Sequence, residues 1–175
     1  MLNAIFSPIL NSSQPAFDFT VTNYPINFTV PDKIHSTDIK HIGIRVIKQN
    51  NNENIVKTDT YPDGIIYKNF NKVIIGNTSS IEISSNDDLK ESWKAGEYYK
   101  IQLRFGKNTY EFGTDKTYKD FSAWKKAQID NQAFSEWSTV MVIKAITHPE
   151  IKIANEENNN IIGIVFSEVE NRESN

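Results

Sequence analysis

The sequence predicts a mainly β protein that folds as a two-layered β-sandwich. The clearest sign is an alternation of polar and apolar residues over positions 99–105, with Tyr99, Ile101, Leu103 and Phe105 as the apolar members. This period of two is expected of a strand with one face in a core and the other in water. About seven short segments of this kind, separated by turn residues, favour a sandwich. Hydrophobic residues make up 38% of the 175 positions, which is enough to build a core.

The approach to the Tyr99 strand indicates which kind of sandwich to expect. Trp93 lies six positions before Tyr99, and Gly96 lies between them. This spacing suits a tyrosine corner, in which a tyrosine at the start of a strand bonds to upstream backbone. It resembles the corner between strands E and F of fibronectin type III domains, where leucine usually stands at the position of Trp93. The resemblance implies a fibronectin type III or immunoglobulin-like sandwich, with Trp93 and Tyr99 as structural residues.

The remaining predicted strands are short and follow a similar alternation. Over 40–49, apolar residues alternate with His41, Arg45 and Lys48, which we place on a polar face. Asparagine and aspartates at the start of 86–93 predict one helical turn before the Tyr99 strand. The other predicted strands are 23–30, 55–58, 65–67, 73–75, 80–84 and 139–146.

A long insertion separates the last two predicted strands. Residues 106–134 exceed a hairpin loop, and 117–132 are predicted to be helical, with Asp120 as a candidate cap. Such a loop is where a β-sandwich normally carries its function. We therefore expect a subunit interface here, and the alternative is packing against the protein's own sandwich. The predicted interface residues in the insertion are Tyr110, Phe112, Tyr118, Phe121 and Trp124.

Residues 134–138 have the sequence Phe-Ser-Glu-Trp-Ser. They resemble the Trp-Ser-x-Trp-Ser motif that precedes the last strand of cytokine-receptor fibronectin domains, with Phe134 in place of the first tryptophan. In that family the aromatic rings interleave with basic residues of the neighbouring strand. Lys100 and Arg104 lie on the polar face of the Tyr99 strand, where they could stack on Trp137 or Phe134. The alternative is an isolated, exposed tryptophan.

Three units are predicted along the chain: an N-terminal arm (1–15), a fibronectin type III-like domain (16–148) and a C-terminal segment (149–175). The arm carries predicted interface residues outside the periodicity of the domain, namely Ile5, Phe6, Ile9 and Leu10. It is either an edge strand of its own domain or a contact with a neighbouring subunit. The C-terminal segment has two apolar runs around a polar turn, the pattern of a hairpin that begins a further β-domain or docks on a partner.

The sequence contains no pattern typical of an active site. The histidines, His35, His41 and His148, are far apart, cysteine is absent, and no phosphate loop or nucleophile elbow is present. A net charge of -3 gives no basic field for nucleic acid. No run approaches the ~18 apolar residues of a membrane-spanning helix. We therefore expect a non-enzymatic protein without cofactor, metal, nucleic-acid partner or membrane.

Several short motifs occur in an order that resembles a known family. They are Ser-Pro-Ile-Leu at 7–10, Gln-Pro-Ala-Phe at 14–17, Ile-Lys-His-Ile-Gly-Ile-Arg-Val at 39–46, Tyr-Pro-Asp-Gly-Ile-Ile-Tyr at 61–67, the stretch 96–106 and the motif at 134–138. Together they resemble the N-terminal domain of the tail (muzzle) virion proteins of crAss-like bacteriophages. The resemblance implies a structural role in the phage tail of the virion, a homo-oligomer with cyclic symmetry and contacts with other tail proteins. The alternative is a glycan- or protein-binding fibronectin type III module of a bacterial surface protein.

Overall fold

The computed structural model describes residues 7–10, 16–18, 23–31, 39–69, 78–109, 120–147, 150–155 and 162–167. Over these residues the protein is mainly β, as the sequence predicts, with a single short helix. The elements are β1 (Ile9–Leu10), β2 (Ala16–Asp18), β3 (Asn23–Thr29), β4 (His41–Lys48), β5 (Ile66–Asn69), β6 (Thr78–Ser84), β7 (Tyr98–Gly106), α1 (Phe121–Asp130), β8 (Met141–Ile146), β9 (Glu150–Asn155) and β10 (Ile162–Ser167).

Two sheets pack against each other, consistent with a β-sandwich. The larger sheet has five strands in the order β2-β8-β7-β4-β5, in which β2 runs parallel to β8 and the other pairs are antiparallel. The smaller sheet has three antiparallel strands in the order β1-β3-β6. The strand that the alternation marks most clearly, β7, lies in the middle of the larger sheet, between β4 and β8.

The core lies between the two sheets and follows the predicted alternation. The apolar residues of β7 from Tyr99 to Phe105 are at most 1% exposed. Phe28 of β3 packs edge to face against Phe105, with ring centroids 6.0 Å apart, and so joins the smaller sheet to the larger. Because successive strand residues point to opposite faces, a one-residue slip in register would move this apolar set into water.

A tyrosine corner fixes the start of β7. The hydroxyl of Tyr99 accepts a hydrogen bond from the backbone N–H of Lys94 at 3.0 Å. The ring of Trp93 packs edge-on against Tyr99, with centroids 4.7 Å apart. Gly96 turns the chain between them with a φ of 82°, a left-handed conformation that glycine adopts without steric cost. The contact expected from the spacing is therefore present.

The segment before this corner differs from the prediction. Residues 85–88 form turns and not the expected helical turn. The carboxylate of Asp88 is 1% exposed and accepts hydrogen bonds from Tyr61 Oη at 2.8 Å, Lys68 Nζ at 2.9 Å and the Ser84 N–H at 2.8 Å. At a helix start this acid would serve its own first turn. Here it ties together three separate parts of the chain.

Two residues of β4 that were assigned to a polar face are buried, which corrects that assignment. His41 is 0% exposed because aromatic residues of α1 and of the 134–138 segment pack over it. Lys48 has the parity of Ile42 and lies opposite the inward Tyr99, so it belongs to the core side of β4. It is 8% exposed, and its amine lies 2.8 Å from the Glu91 carboxylate. For His41 the alternation gives the correct face but does not show what covers it, whereas Lys48 was placed on the wrong face.

Other boundaries also shift. In place of the strand predicted at 55–58 there are isolated bridges, which join Ile47 to Asn54 and Val56 to Leu89. The strand predicted at 73–75 lies outside the described residues. Strands β9 and β10 pair with each other over six residue pairs and form a separate two-stranded sheet among the described strands.

Candidate functional site

The segment 134–138 lies along β7 and is fastened to it by its two serines. The Ser135 N–H donates to the Phe105 carbonyl at 2.9 Å, and Ser135 Oγ accepts from the Phe105 N–H at 2.8 Å. Ser138 makes the same two bonds with Leu103, at 2.7 Å and 2.9 Å. Each serine therefore satisfies both backbone groups of one β7 residue, which a regular strand partner would otherwise do.

This attachment places two aromatic rings among cations on the outer face of the larger sheet. Cζ of Arg104 lies 3.8 Å from the ring centroid of Phe134 and 4.5 Å from that of Trp137. Cζ of Arg45 lies 4.1 Å from Trp137, and Nζ of Lys125 lies 5.1 Å from Phe134. All these distances are within the ~6 Å range of cation–π attraction. We call this series the ladder, in the order Arg45, Trp137, Arg104, Phe134 and Lys125.

The expected position of Lys100 in the ladder needs correction. In the part of the chain that the structure describes, the cation–π contacts include Arg104 but not Lys100, whose amine donates to Asn52 Oδ1. The register explains the difference. Gln102, the next outward residue after Lys100, donates from its amide nitrogen to the Ser138 carbonyl at 3.0 Å. The aromatic segment therefore ends beside Gln102, one pleat before it would reach Lys100.

Arg45 is a ladder residue that the sequence reasoning missed. It lies opposite Gln102 in the β4–β7 register, and its Nη1 donates to Gln102 Oε1 at 3.2 Å. The alternation of β4 indicates that Arg45 points outward. The sequence does not show the β4–β7 register, which brings Arg45 beside Trp137.

Helix α1 covers one end of the same sheet face. Trp124 is 8% exposed, and its ring centroid lies 4.9 Å from Tyr67, 5.4 Å from His41 and 6.0 Å from Phe134. We call the four residues His41, Tyr67, Trp124 and Phe134 the covered end. The helix is shorter than predicted, and Asp120 does not cap it through its side chain: its φ is 59° and it makes no such bond.

The covered end contains a buried neutral histidine. Burial lowers the pKa of His41 to about 4, an effect to which the charges of Arg104 and Lys125 add and which the bond to the Asn108 carbonyl opposes. Its Nε2 has no hydrogen-bond partner among the described residues. A Cβ at Gly106 would lie 1.9 Å from the imidazole, so this close approach requires glycine. The geometry makes His41 a packing residue of the cluster.

Polar groups beside the covered end are compensated within the chain. The amine of Lys125 lies 2.5 Å from the Asp63 carboxylate, and the Tyr67 hydroxyl donates to the same carboxylate at 2.7 Å. Arg104 Nη2 donates to the Tyr67 hydroxyl at 3.2 Å. Burial, with the nearby Asp63 charge, raises the pKa of Tyr67 well above its ordinary value. The charge of Lys125 is therefore balanced by the Asp63 carboxylate, whereas Arg104 contacts a neutral hydroxyl.

The structure describes four of the predicted interface residues. Ile9 is 54% exposed, and Leu10 and Phe121 are half-buried and packed against the core. Trp124 is buried within its own chain, which leaves little of it for contact with another. The residues that lie outside the described part are Ile5, Phe6, Tyr110, Phe112 and Tyr118.

The other end of the outer face exposes apolar side chains that the sequence reasoning did not single out. Tyr98 is 46% exposed, Val140 48% and Val142 40%. Tyr98 lies opposite Lys144 in the β7–β8 register, and the Lys144 amine lies 5.6 Å from its ring centroid. A signal was present in the nearly continuous apolar run at 139–146, because such runs are typical of strands that are covered on both faces. We call Tyr98, Lys100, Val140, Val142 and Lys144 the open end.

A small surface pocket adjoins the open end. It has a volume of about 240 Å³ and is lined by Gln49, Asn50, Gly96, Glu97 and Tyr98. Its side chains offer one aromatic ring, two amides and one carboxylate, which can accept and donate hydrogen bonds but provide no nucleophile with an adjacent base.

Within the described ranges, no group of three or more histidine, aspartate or glutamate side chains could hold a metal ion. The helix that the structure describes is too short to cross a membrane. In comparisons with known proteins, no family model and no curated protein matches the chain.

Proposed function

We propose that the chain is a structural, non-enzymatic module of a bacteriophage tail, which assembles with copies of itself into a ring and contacts other tail proteins. The main observation in support of this proposal is the hairpin β9–β10. Among the described strands it is hydrogen-bonded only within itself. A two-stranded ribbon is marginally stable in water on its own. A surface supplied by a neighbour would complete it, which is what an assembly provides.

The proposal includes a fibronectin type III or immunoglobulin-like identity for residues 16–148, with α1 as a helical insertion before the last strand. Three features support it. Strand β1, although it precedes residue 16 and lies in the predicted arm, pairs with β3 in the smaller sheet, and β2 belongs to the larger sheet, so the N-terminal part of the chain passes between the sheets. The tyrosine corner precedes β7. The serines of the 134–138 segment hold a cation–aromatic ladder on the same strand.

Exposed apolar residues support the assembly role. Ile9 of the arm and Tyr98, Val140 and Val142 of the open end are between 40% and 54% exposed. Contiguous exposed apolar surface commonly marks an interface. Identical copies can satisfy such surfaces through closed cyclic symmetry.

A non-enzymatic role is supported by how the strongly perturbed groups are used. His41 and Tyr67 have the largest pKa shifts among the outer-face residues, and both are buried in aromatic packing. Neither has the exposed position that a general acid or base needs beside a substrate.

The test is the state of the intact chain in solution and in particles. Sedimentation velocity and electron microscopy of the purified chain should show one closed ring species that grows with concentration at the expense of monomer. Mass spectrometry of virions purified from the source should detect the chain. A chain that stays monomeric at every concentration and is missing from virions would contradict the proposal.

The pocket beside Tyr98 favours a second candidate, a glycan-binding module. An exposed aromatic ring next to amide and carboxylate groups suits the apolar face and the hydroxyl groups of a sugar. A glycan array probed with the intact chain tests this. Binding that Tyr98→Ala removes and Val140→Ala retains would support the module, and an array without signal would exclude it for the glycans tested.

A further inference from the structure

The outer face of the larger sheet carries an excess of positive charge. Three carboxylates adjoin the ladder and the open end: Asp63 beside Lys125, Glu136 within the aromatic segment, and Glu97 in the pocket beside Tyr98. The ladder and the open end together carry five cations, an excess of two positive charges over these carboxylates. The cations are Arg45, Lys100, Arg104, Lys125 and Lys144. The whole chain has a net charge of -3, so this face is opposite in sign to the chain that carries it.

The arginines of this face have no carboxylate partner among the described residues. The hydrogen bonds of Arg45 and Arg104 go to the neutral side chains of Gln102 and Tyr67, both at 3.2 Å. Nε of Arg104 has no partner in the described part of the chain. Burial and the neighbouring charge of Arg104 lower the pKa of Arg45. Opposite charge supplied from outside would relieve the mutual repulsion of these arginines.

The C-terminal segment 150–175 has the complementary chemistry. It contains six glutamates against Lys152 and Arg172, an excess of four negative charges. In the β9–β10 register, Ile151 pairs with Phe166 and Ile153 pairs with Ile164. The segment therefore combines apolar strand pairs with acidic flanks. The open end combines apolar side chains with lysines in the same way.

We propose that the open end binds the acidic C-terminal segment of a second copy of this chain. The apolar residues of the hairpin meet Tyr98 and Val142, and its glutamates lie near Lys100 and Lys144. This inference rests on the proposed ring and names the contact that builds it. Each copy offers a face to one neighbour and a segment to the other, so the contact is heterologous. Such contacts form a closed ring when the rotation from one copy to the next divides a full turn into a whole number of steps.

Charge reversal in the intact chain tests the contact. The face variant carries Lys100→Glu and Lys144→Glu, and the segment variant carries Glu168→Lys and Glu170→Lys. A control with Lys57→Glu and Lys90→Glu makes the same change of charge away from the open end. Thermal melting shows whether each variant folds, and sedimentation velocity measures self-association at several salt concentrations.

We expect the face and segment variants each to associate at least ~10-fold more weakly than the wild type, because opposed charges become like charges. The control should stay within ~2-fold, and added salt should weaken wild-type association. An equimolar mixture of the two variants should recover the association, because the acidic face of one variant then meets the basic segment of the other. Recovery by mixing also shows that the variants are folded and that the contact joins different copies.

Three outcomes would overturn the inference. If the face variant still forms rings as the wild type does, the contact lies elsewhere and the proposed function stands. If the mixture does not recover, the segment binds within its own chain or not at all. If the wild type is monomeric even at low salt, both this contact and the proposed ring assembly fail.

Discussion

The two ends of the outer face contrast sharply, although the same sheet builds both. At the covered end, His41 and Tyr67 are 0% exposed, and at the open end Tyr98 and Val142 are 46% and 40% exposed. All four occupy outward positions on their strands. The difference comes from what lies above the strands, because α1 packs over one end and no described element packs over the other. Strand alternation therefore assigns a residue to a face, and tertiary packing decides whether that face is buried.

The ladder marks the border between the two ends. Ser135 and Ser138 fix the aromatic segment to Phe105 and Leu103, so its rings stand over the outward residues near the C-terminal half of β7. Arg104 lies under these rings, and Lys100, two outward positions away, does not. A distance of two outward positions along β7 therefore separates a stacked cation from one that bonds to a loop.

The largest expected effect comes from removing the centre of the covered end. Trp124→Ala should lower the free energy of unfolding by about 3–5 kcal/mol, because it leaves a cavity among buried rings and removes an anchor of α1. Urea unfolding followed by far-UV circular dichroism measures this. Ile129→Ala is the matched control, since Ile129 is on the same helix and 59% exposed. Equal losses from both variants would mean that the helix is held by something other than this cluster.

The second prediction concerns acid. The pKa of His41 is about 4 in the folded protein and ~6.5 when unfolded, so between these values the unfolded state binds the additional proton. Stability should therefore fall as the pH drops from 7 to 4, by up to about 3 kcal/mol from this group.

The measurement is urea unfolding at pH 7 and pH 4.5, for the wild type and for His41→Gln. The variant cannot take up this proton, so its stability should depend less on pH, whatever its stability at pH 7. If the two proteins lose the same free energy on acidification, the imidazole is not buried as a neutral group.

The third prediction tests the ladder as the border between the covered end and the open end. Arg104→Ala should destabilise the protein by about 0.5–2 kcal/mol, because two ring contacts are lost. Lys100→Ala removes a cation from the same strand and face and should have little effect on the free energy of unfolding. Thermal unfolding of both variants decides the point. A larger loss for Lys100→Ala would mean that the ladder extends closer to the start of β7 than the structure has it.

The features that could be predicted from the sequence are those formed by residues close together in the chain. The core face of β7 and the corner at Tyr99 follow from spacings of a few residues, and both are present. The association of Arg104 with residues 134–138 came from a resemblance, and the contact is also present. Arg45 was missed and His41 was assigned to a polar face, because the environment of each depends on partners far along the chain. No local pattern gives the β4–β7 register or the position of α1.

The smallest expected effect lies at the open end. Val142→Thr replaces a methyl by a hydroxyl on a side chain that is 40% exposed, so the free energy of unfolding should change by no more than about 0.5 kcal/mol. Val46→Thr makes the same change at a position that is 0% exposed in the core, and should cost about 1–3 kcal/mol because the hydroxyl is buried. Urea unfolding of the two variants at a concentration where the chain is monomeric gives the comparison. If Val142→Thr costs as much as Val46→Thr, then part of the same chain covers the open end, and the contrast between the two ends disappears. If only Val46→Thr is costly, the open end is solvent-exposed in the monomer, as binding to a second copy requires.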